Sequence, residues 1–563
     1  MVRFIFRKRQ RMAMLKYSLI IALSLFPRIS GAGEQAISLR PVGSVTRYFS
    51  GEVIEEGIQV EGLPESGSVD IYWQTQVGPA VLEKGKAAVR RGENNTGVAK
   101  VELDLPEVKR QTVLTWLVEL VSGGNTLKKE AIQYRIFPPT NPEALKDVLQ
   151  SKEVGIYDPW GKLKNIFQIG GLDYLDLANQ VALNNFNGDL LLIGPGAIKT
   201  PYSGIFDIIG KKGSEMGVIC FRQTILPREM PLPLELLSGL EAIPGKGIIM
   251  APGHPVFSGL DESDFQGWRG DSASFFQPMN KPFWGNYRSL MDLRQVGEIR
   301  IREKRGSLLL EVFSAGKKMI FCQLPICTVY REEPVAGVLF ENLIRYSITV
   351  PAERGAVAFL SSPGSGIAGY FQKLGLSARL NPADLTRFDR VILVYDRASK
   401  EYISREGINL IARLEGVLLR GGKIVILGLE PDSIRSLDRI LPEGLGLEKV
   451  AASIKEGGVK RDSPLFWGVA DSEWTGCIGE AGGFFEDNPV YKITLVSSEK
   501  GWPLTAPPFI CQIPFREGTI IICQWPFFRQ EEDKDSLRVF SQFLTNLGIR
   551  MNKNEEFLQG FEK

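Results

Sequence analysis

Four stretches between residues 68 and 138 alternate apolar and polar side chains with a period of two: SVDIYWQTQV (68–77), AKVELDLP (99–106), TVLTWLVELVSGGN (112–125) and EAIQYRIFP (130–138). Successive side chains of a strand point to opposite faces, so this pattern predicts strands with one face buried and one in water. Gly, Pro and Asn punctuate them, and short strands so separated predict a β-sandwich over residues 48–139. After Pro139 the pattern changes. Runs such as GDLLLIG (188–194) and FDRVILV (388–394) are apolar throughout and alternate with helical spacings. That combination predicts a parallel sheet covered by helices on both faces.

The second pattern is written twice. EVGIYDPWGKLKNIFQIGGL (153–172) aligns with AVAFLSSPGSGIAGYFQKLGL (356–376), and GDLLLIG with FDRVILV. HPVFSGLDESDFQGWRGDSASFF (254–276) aligns without a gap with SPLFWGVADSEWTGCIGEAGGFF (463–485), with eight identities in 23. MIFCQLP (319–325) precedes the helical VAGVLFENLIRYSI (335–348), and IIICQWP (520–526) precedes SLRVFSQFLTNLGI (536–549). Four blocks in one order predict a tandem duplication: an α/β domain over 151–350, its copy over 353–549, and a polar tail at 550–563.

Residues 1–32 have another style. Six Lys and Arg in MVRFIFRKRQRMAMLK precede the apolar YSLIIALSLF (17–26) and then PRISGA, with Ser30 and Ala32 at −3 and −1 of a cleavage site. This is the layout of a secretory signal peptide, and its apolar run is too short to span a bilayer. Export to a periplasm or the extracellular space is therefore expected, with membrane attachment only through an uncleaved leader. Removing these residues takes away seven of the 67 Lys and Arg and none of the 65 Asp and Glu, leaving 60 against 65, a net of −5. A mildly acidic surface without basic runs argues against a nucleic-acid partner.

The six cysteines, Cys220, Cys322, Cys327, Cys477, Cys511 and Cys523, form no CxxC, and His254 is the only histidine, so no metal site is expected. PFICQIPFREGTIIICQW reads as a hairpin turning near Arg516–Gly518, which sets Cys511 opposite Cys523 as a disulfide or two buried thiols. GVICFRQ (217–223) invites comparison with the nucleophile strand of class I glutamine amidotransferases, but Phe221 and Arg222 follow Cys220 where a permissive glycine is needed. Cys220 and His254 would form a nucleophile and base only if the fold joined them. GSGIAG (364–369) formally matches a dinucleotide fingerprint through Gly364, Gly366 and Gly369, but Ser-Ser-Pro separates it from the preceding strand, and no cofactor is expected. His254 is replaced by Ser463 in the second copy, so it is either an N-terminal cap or a ligand contact. Asp158, Trp160, His254, Trp268, Arg269 and Asp271, with Trp284, are candidates for an aromatic and charged shelf at strand ends suited to a sugar.

The β-domain ending in YRIFP, followed by GHPVFSGLDESDFQGWRGD and then FCQLPI and EEPVAGVLFENLIRY, resembles the C-terminal region of exported β-galactosidase-like proteins of glycoside hydrolase family 2. The HPVFSGL phrase is also similar to a His-Pro stretch of the trehalose-utilisation branch of the class I glutamine amidotransferase superfamily. The resemblance covers most of 48–350, and the duplicate extends it to 549. It implies a multidomain β plus α/β architecture: an immunoglobulin-like β-sandwich, then two tandem flavodoxin-like, class I glutamine amidotransferase-like α/β domains. The glycosidase barrel has no counterpart here, since some fifteen residues separate the leader from the β-domain. The amidotransferase triad is missing too, so neither activity carries over.

The leading expectation is an exported non-catalytic binding or assembly protein, its partner a carbohydrate or a carbohydrate-active protein. Two alternatives stay open. One is an enzyme acting on a sugar or small metabolite through His254 and nearby acids, and the other is a structural subunit that forms a homo-oligomer.

Overall fold

The computed structural model describes residues 37–552 apart from 44, 214, 238–244, 267, 269–276, 296–305, 315, 351–354, 363–364, 396, 451–456, 479–490, 496–500, 526 and 528–532. The protein is a mixed α/β chain with several sheets. It divides into two compact units, one made of residues up to Thr46, Gly51–Glu107 and Thr112–Ile136, the other of Arg47–Ser50, Val108–Gln111 and Phe137 onward. The signal-peptide reading of 1–32 lies outside the described residues, as does the expected polar tail of 550–563 beyond Asn552, while Met551 near its start is buried.

The first unit carries two antiparallel sheets. One runs Ser38–Pro41, Val53–Glu61, Thr96–Asp104, Arg90–Arg91; the other includes Asn125–Phe137, Thr112–Ser122, Val69–Val77, Ala80–Ala88 in that order. The period-two pattern is realised directly. Leu114, Trp116, Val118 and Leu120 are fully buried, and Trp116 stacks on Tyr134 at 6.1 Å. Of the longer strands, Val53–Glu61 and Ala80–Ala88 lack a counterpart in the sequence reading, as do the short Ser38–Pro41 and Arg90–Arg91. Ala80–Ala88 is an edge strand whose side chains are mostly exposed, so no apolar alternation marks it.

The second unit holds two sheets of one design. In the first, β1 (Val154–Tyr157), β2 (Leu175–Asp176), β3 (Leu190–Ile193), β4 (Gly217–Phe221), β5 (Gly245–Ile249), β6 (Tyr287–Gln295), β7 (Gly306–Ser314) and β8 (Lys317–Cys322) lie in the order β2-β1-β3-β4-β8-β7-β6-β5. In the second, β9 (Val357–Leu360), β10 (Arg379–Leu380), β11 (Arg390–Val394), β12 (Lys423–Leu427), β13 (Trp502–Pro503), β14 (Ile510–Phe515) and β15 (Gly518–Cys523) lie in the order β10-β9-β11-β12-β15-β14-β13. Counted along the chain, the parallel strands of each sheet run 2-1-3-4-5, and antiparallel strands follow. Helices α1 (Lys162–Ile169) and α2 (Pro334–Thr349) belong to the first lobe, α3 (Gly366–Lys373) and α4 (Lys534–Asn546) to the second. Leu190–Ile193 is buried at every position because both faces of its sheet are covered.

The repeated Cys-Gln-x-Pro phrase has the same place in each lobe. Cys322 ends β8 and Cys523 ends β15, and the next residues, Gln323 and Gln524, donate backbone N–H bonds of 2.8 Å to Leu308 and Phe509 of the neighbouring strand. Their buried amides also join strand ends. Gln323 Oε1 accepts from the Gln223 N–H at 3.3 Å, and Gln524 Nε2 donates to the Leu429 carbonyl at 2.7 Å.

The lobes meet along a seam of buried polar groups. Lys281 Nζ, from the first lobe, lies 2.7 Å from Asp292 and 3.2 Å from Glu473 of the second, with the Lys281 and Glu473 side chains fully buried. The Gly468 N–H donates to the Met250 carbonyl at 3.0 Å, and Ser541 Oγ donates to the Gly285 carbonyl at 2.6 Å while accepting from its N–H at 3.0 Å. Gly468 has φ +88, and a Cβ there would come within 2.0 Å of Gln542 Oε1 and 2.9 Å of the Ser289 nitrogen, so no side chain fits. Trp284, from the first lobe, is buried in the core cluster of the second.

Removing one partner of a buried ion pair strands the other charge away from water. Lys281→Met removes the cation nearest to buried Glu473 and to part-buried Asp292, and is expected to lower unfolding free energy by about 3–5 kcal/mol. Urea denaturation checks this, and a loss below about 1 kcal/mol would show that Lys281 does not hold the seam.

Candidate functional site

Cys220 lies within β4 rather than at a sharp turn. Its neighbours Ile219 and Phe221 join the core cluster containing Val256 and Phe257, whereas Val218 and Cys220 join the cluster on the opposite face. His254 lies two residues before Val256 and packs on Tyr346 of α2, so it belongs to the side of the sheet away from Cys220. Burial drives the Cys220 thiol far above its ordinary value, and the fold does not assemble the nucleophile and base. In the α3 segment Gly364 lies outside the described residues. Gly366 and Gly369 have no left-handed φ, and a Cβ at either meets nothing within 4 Å, so the turn does not require glycine. Ser365 caps the helix from its side chain instead.

The hairpin carrying Cys511 and Cys523 forms as β14 and β15. Its register pairs Cys511 with Ile522 and Cys523 with Ile510. A one-residue offset in a strand reverses the face, so the two thiols point into different core clusters and remain free. That corrects the opposed-cysteine reading. Among the described residues no group of three His, Cys, Asp or Glu side chains is gathered as metal ligands would be.

The expected shelf at the strand ends is only partly built. Trp160 follows β1 and is 62% exposed, its Nε1 donating to the Gly196 carbonyl at 3.0 Å beyond the end of β3. This crevice, where the 2-1-3 order reverses, is where ligands of open α/β sheets bind. Asp158 is buried beneath it as a cap. Its Oδ2 accepts from the Leu163 and Lys164 N–H groups at 2.7 and 3.2 Å, occupying the start of α1 with a carboxylate. The close approach depends on Gly194, where a Cβ would fall 2.4 Å from Asp158 Oδ1. Trp268 and Trp284 are core residues, Trp268 donating to the Asp264 carbonyl at 2.8 Å, and they are not part of a shelf. Arg269 and Asp271 lie outside the described residues. Sequence reading missed Lys199, whose Nζ is 5.2 Å from the Trp160 ring centroid.

His254 resolves into a cap with a second duty. Its Nδ1 accepts from the Val256 N–H at 3.4 Å at the head of the 3-10 turn Pro255–Phe257, as Ser463 Oγ accepts from the Leu465 N–H at 3.4 Å at the head of Pro464–Phe466. Accepting at Nδ1 places the proton on Nε2. Nε2 has no hydrogen-bond partner and lies 3.8 Å from Glu311 Oε2. The ring meets Tyr346 and Trp467 edge-on at centroid distances of 4.5 and 5.1 Å. Glu311 is fully engaged: Arg288 Nη1 lies 2.8 Å from Oε2, and the Tyr346 hydroxyl donates to Oε1. Arg288 Nε in turn bonds Asn546 Oδ1 at 2.7 Å, and Asn546 donates to the Leu465 and Trp467 carbonyls at 3.1 and 2.8 Å. One polar chain thus runs from His254 across the seam.

Electrostatics follow from this burial. Loss of solvation pulls the His254 imidazole down to about 4; Glu311 opposes the shift, and Arg288 and Lys318 add to it. Burial works to raise the Glu311 carboxyl, but Arg288, His254 and the Tyr346 hydroxyl outweigh it and hold it below the usual range. Burial also lowers Lys318 to about 8. At neutral pH His254 is an uncharged ring.

A cavity of about 570 Å³ opens beside it. Its apolar wall is Ile249, Pro252, Pro255, Phe257 and Leu260, and its polar groups are Ser258, Asp261, Glu262 and Arg461, the last from the second lobe. Arg461 Nη2 bonds Asp471 at 2.9 Å, while its buried Nε has no hydrogen-bond partner. Glu262 makes no ion pair among the described residues. The duplicated block carried a signal for this site, since Asp261 aligns with Ala470 and Glu262 with Asp471. Which groups would face a common space was not visible there.

No protein-family model matches the chain, and no curated protein does. Among solved structures, the β-glucosidase of Listeria innocua in complex with glucose matches with 12% identity over 18% of this chain and 16% of its own length, at a TM-score of 0.14. The sporulation control protein Spo0M of Bacillus subtilis matches with 14% identity over 22% of this chain and 61% of its own length, at a TM-score of 0.15. Overlaps of this size assign neither fold nor activity to the chain.

The lowered imidazole makes a pH prediction. The unfolded chain, with His254 near its ordinary 6.5, binds a proton that the folded chain refuses until about pH 4. Stability is therefore full above about 6.5 and falls as pH drops through this window, by about 3 kcal/mol for this one group. His254→Asn keeps a capping acceptor without a titrating group, and denaturation midpoints between pH 7 and 4 should flatten in it by about one proton's worth. An unchanged slope would assign the pH dependence elsewhere.

Proposed function

We propose that this protein is an exported, non-catalytic binding protein of carbohydrate processing, with the cavity between the α/β lobes as its ligand site. On this reading the β unit is an immunoglobulin-like sandwich, and the lobes are two flavodoxin-like copies of class I glutamine amidotransferase type. The 2-1-3-4-5 strand order in both supports that fold assignment. The cationic leader and short apolar run support export.

One observation carries the absence of catalysis: the single histidine is consumed by the frame. A histidine acting as general base needs a proton-accepting nitrogen open to the substrate and a pKa near the working pH. His254 is 2% exposed, with Nδ1 occupied as a cap, Nε2 turned towards Glu311, and an imidazole that charges only near pH 4. What remains open to a ligand is an apolar wall with a carboxylate at Glu262 and the guanidinium of Arg461. Sugar hydroxyls can donate to the one and accept from the other, while the C–H face of the ring packs on the wall.

Thermal unfolding of residues 33–563 against monosaccharides and short oligosaccharides tests this. A ligand at a hundred times its Kd stabilises the native state by about 2.7 kcal/mol. We expect an upward Tm shift with a sugar, lost in Glu262→Gln and Arg461→Gln, with no turnover of that sugar. Turnover that disappears in His254→Asn would overturn the non-catalytic reading in favour of an enzyme. No shift with any sugar, together with a homo-oligomer in gel filtration, would favour a structural subunit.

A further inference from the structure

The β unit has a cavity of its own. A groove of about 490 Å³ lies on the sheet containing Thr112–Ser122, Val69–Val77 and Ala80–Ala88. Its floor follows from register. Tyr72 stands opposite Lys86 on one side and Glu119 on the other, and Gln74 stands opposite Lys84 and Leu117. Directly opposed residues share a face, and so do positions two apart, so these six side chains form one grid. Ile71, Val118 and Leu120, one position out of phase, are in the core.

The chemistry of that grid is amphipathic rather than apolar. Tyr72 is 45% exposed and presents a rigid ring, with Lys86 Nζ 5.4 Å from its centroid. Lys86 also pairs with Asp70 at 2.9 Å, and Glu119 with Lys129 at 2.5 Å. Both are surface pairs of the kind that solvent and salt weaken, so a ligand can exchange with them. Lys84 has no ion pair among the described residues, which leaves the floor one positive charge in excess.

We propose that this groove binds an extended acidic glycan, with a sugar ring stacked on Tyr72 and a carboxylate paired to Lys84. The inference shares the carbohydrate reading given above but does not depend on the cavity between the lobes. Three features favour a glycan chain. The groove crosses three strands spaced about 4.8 Å apart, which is longer than one sugar residue. Ring stacking with Gln and Glu at hydrogen-bonding distance from the ring's hydroxyls is the recognition chemistry of polyols. An extended peptide would instead add to the edge strand Ala80–Ala88, because backbone groups within the sheet are already paired.

The test is isothermal titration of residues 33–563 with a hexameric polyuronate, a neutral hexasaccharide and a poly-glutamate peptide of equal length. The polyuronate should bind with a salt-dependent affinity. Tyr72→Ala should weaken it about tenfold and Lys84→Gln about fivefold, the latter with a shallower salt dependence. Both positions are exposed, and an unchanged thermal midpoint confirms that the variants fold. Glu262→Gln should leave polyuronate affinity unchanged, which separates this groove from the cavity between the lobes. Absence of polyuronate binding, or binding indifferent to Tyr72→Ala, would overturn the proposal. So would equal affinity for poly-glutamate, or for the neutral chain with Lys84→Gln silent.

Discussion

Burial of charge between the two α/β lobes is the constraint on which the second unit depends. Lys281 and Glu473 have fully buried side chains, and Arg288, Glu311 and His254 are almost as dry. Charges taken out of water are tolerated only when partners meet them at bonding distance. Here several partners come from the opposite lobe: Glu473 for Lys281, Asn546 for Arg288, Trp467 for His254. Separating the lobes would expose the core of the second at Trp284 and strand these groups, so the two lobes form one unit. Polar groups matched in this way also tie the lobes to one register, which an apolar contact of equal area would do less sharply.

The same requirement shapes the chemistry available. A histidine placed between Tyr346, Trp467 and Glu311 and capping a turn helps hold the seam, and its environment keeps it neutral. Asp158 is similar. As the cap of α1 it fills the amide cluster where an anionic ligand would sit in an open α/β sheet, leaving Trp160 and Lys199 at the crevice. Groups that look reactive in the sequence are thus engaged by local structure. Those that line the cavity or the groove, Glu262, Arg461, Lys84 and Tyr72, are ordinary surface residue types that no motif singles out.

Much of the architecture was legible because it rests on periodicity. Alternation from Val69 to Val77 and from Thr112 to Ser122, and uniform apolarity at Leu190–Ile193 and Arg390–Val394, reflect one-sided and two-sided burial. The caps at His254 and Ser463 head corresponding 3-10 turns, whereas beyond them the 3-10 turn Glu262–Phe265 stands where the other lobe has the helix Asp471–Ile478. What failed did so where pattern carries no burial information. The edge strand Ala80–Ala88 buries little and so leaves no alternation to read. Cys511 and Cys523 were set face to face by counting back from the turn, but the two-residue loop at Arg516–Glu517 shifts the register by one and turns them to opposite sides. Trp268 and Trp284 have the composition of a ligand shelf, yet a tryptophan in an apolar block is equally a core residue, and only packing distinguishes the two.

By itself, then, the sequence determined the class and position of the elements and the repetition of one α/β plan, because hydrophobic period and capping chemistry act over a few neighbouring residues. Only the tertiary structure decided which of the polar side chains became partners. His254 and Trp467 are some two hundred residues apart, as are Lys281 and Glu473, and their meeting follows from how two sheets dock. Dielectric environment and mutual distance, which make His254 a neutral cap and bring Arg461 to the cavity wall, are properties of that docking and have no local trace in the chain.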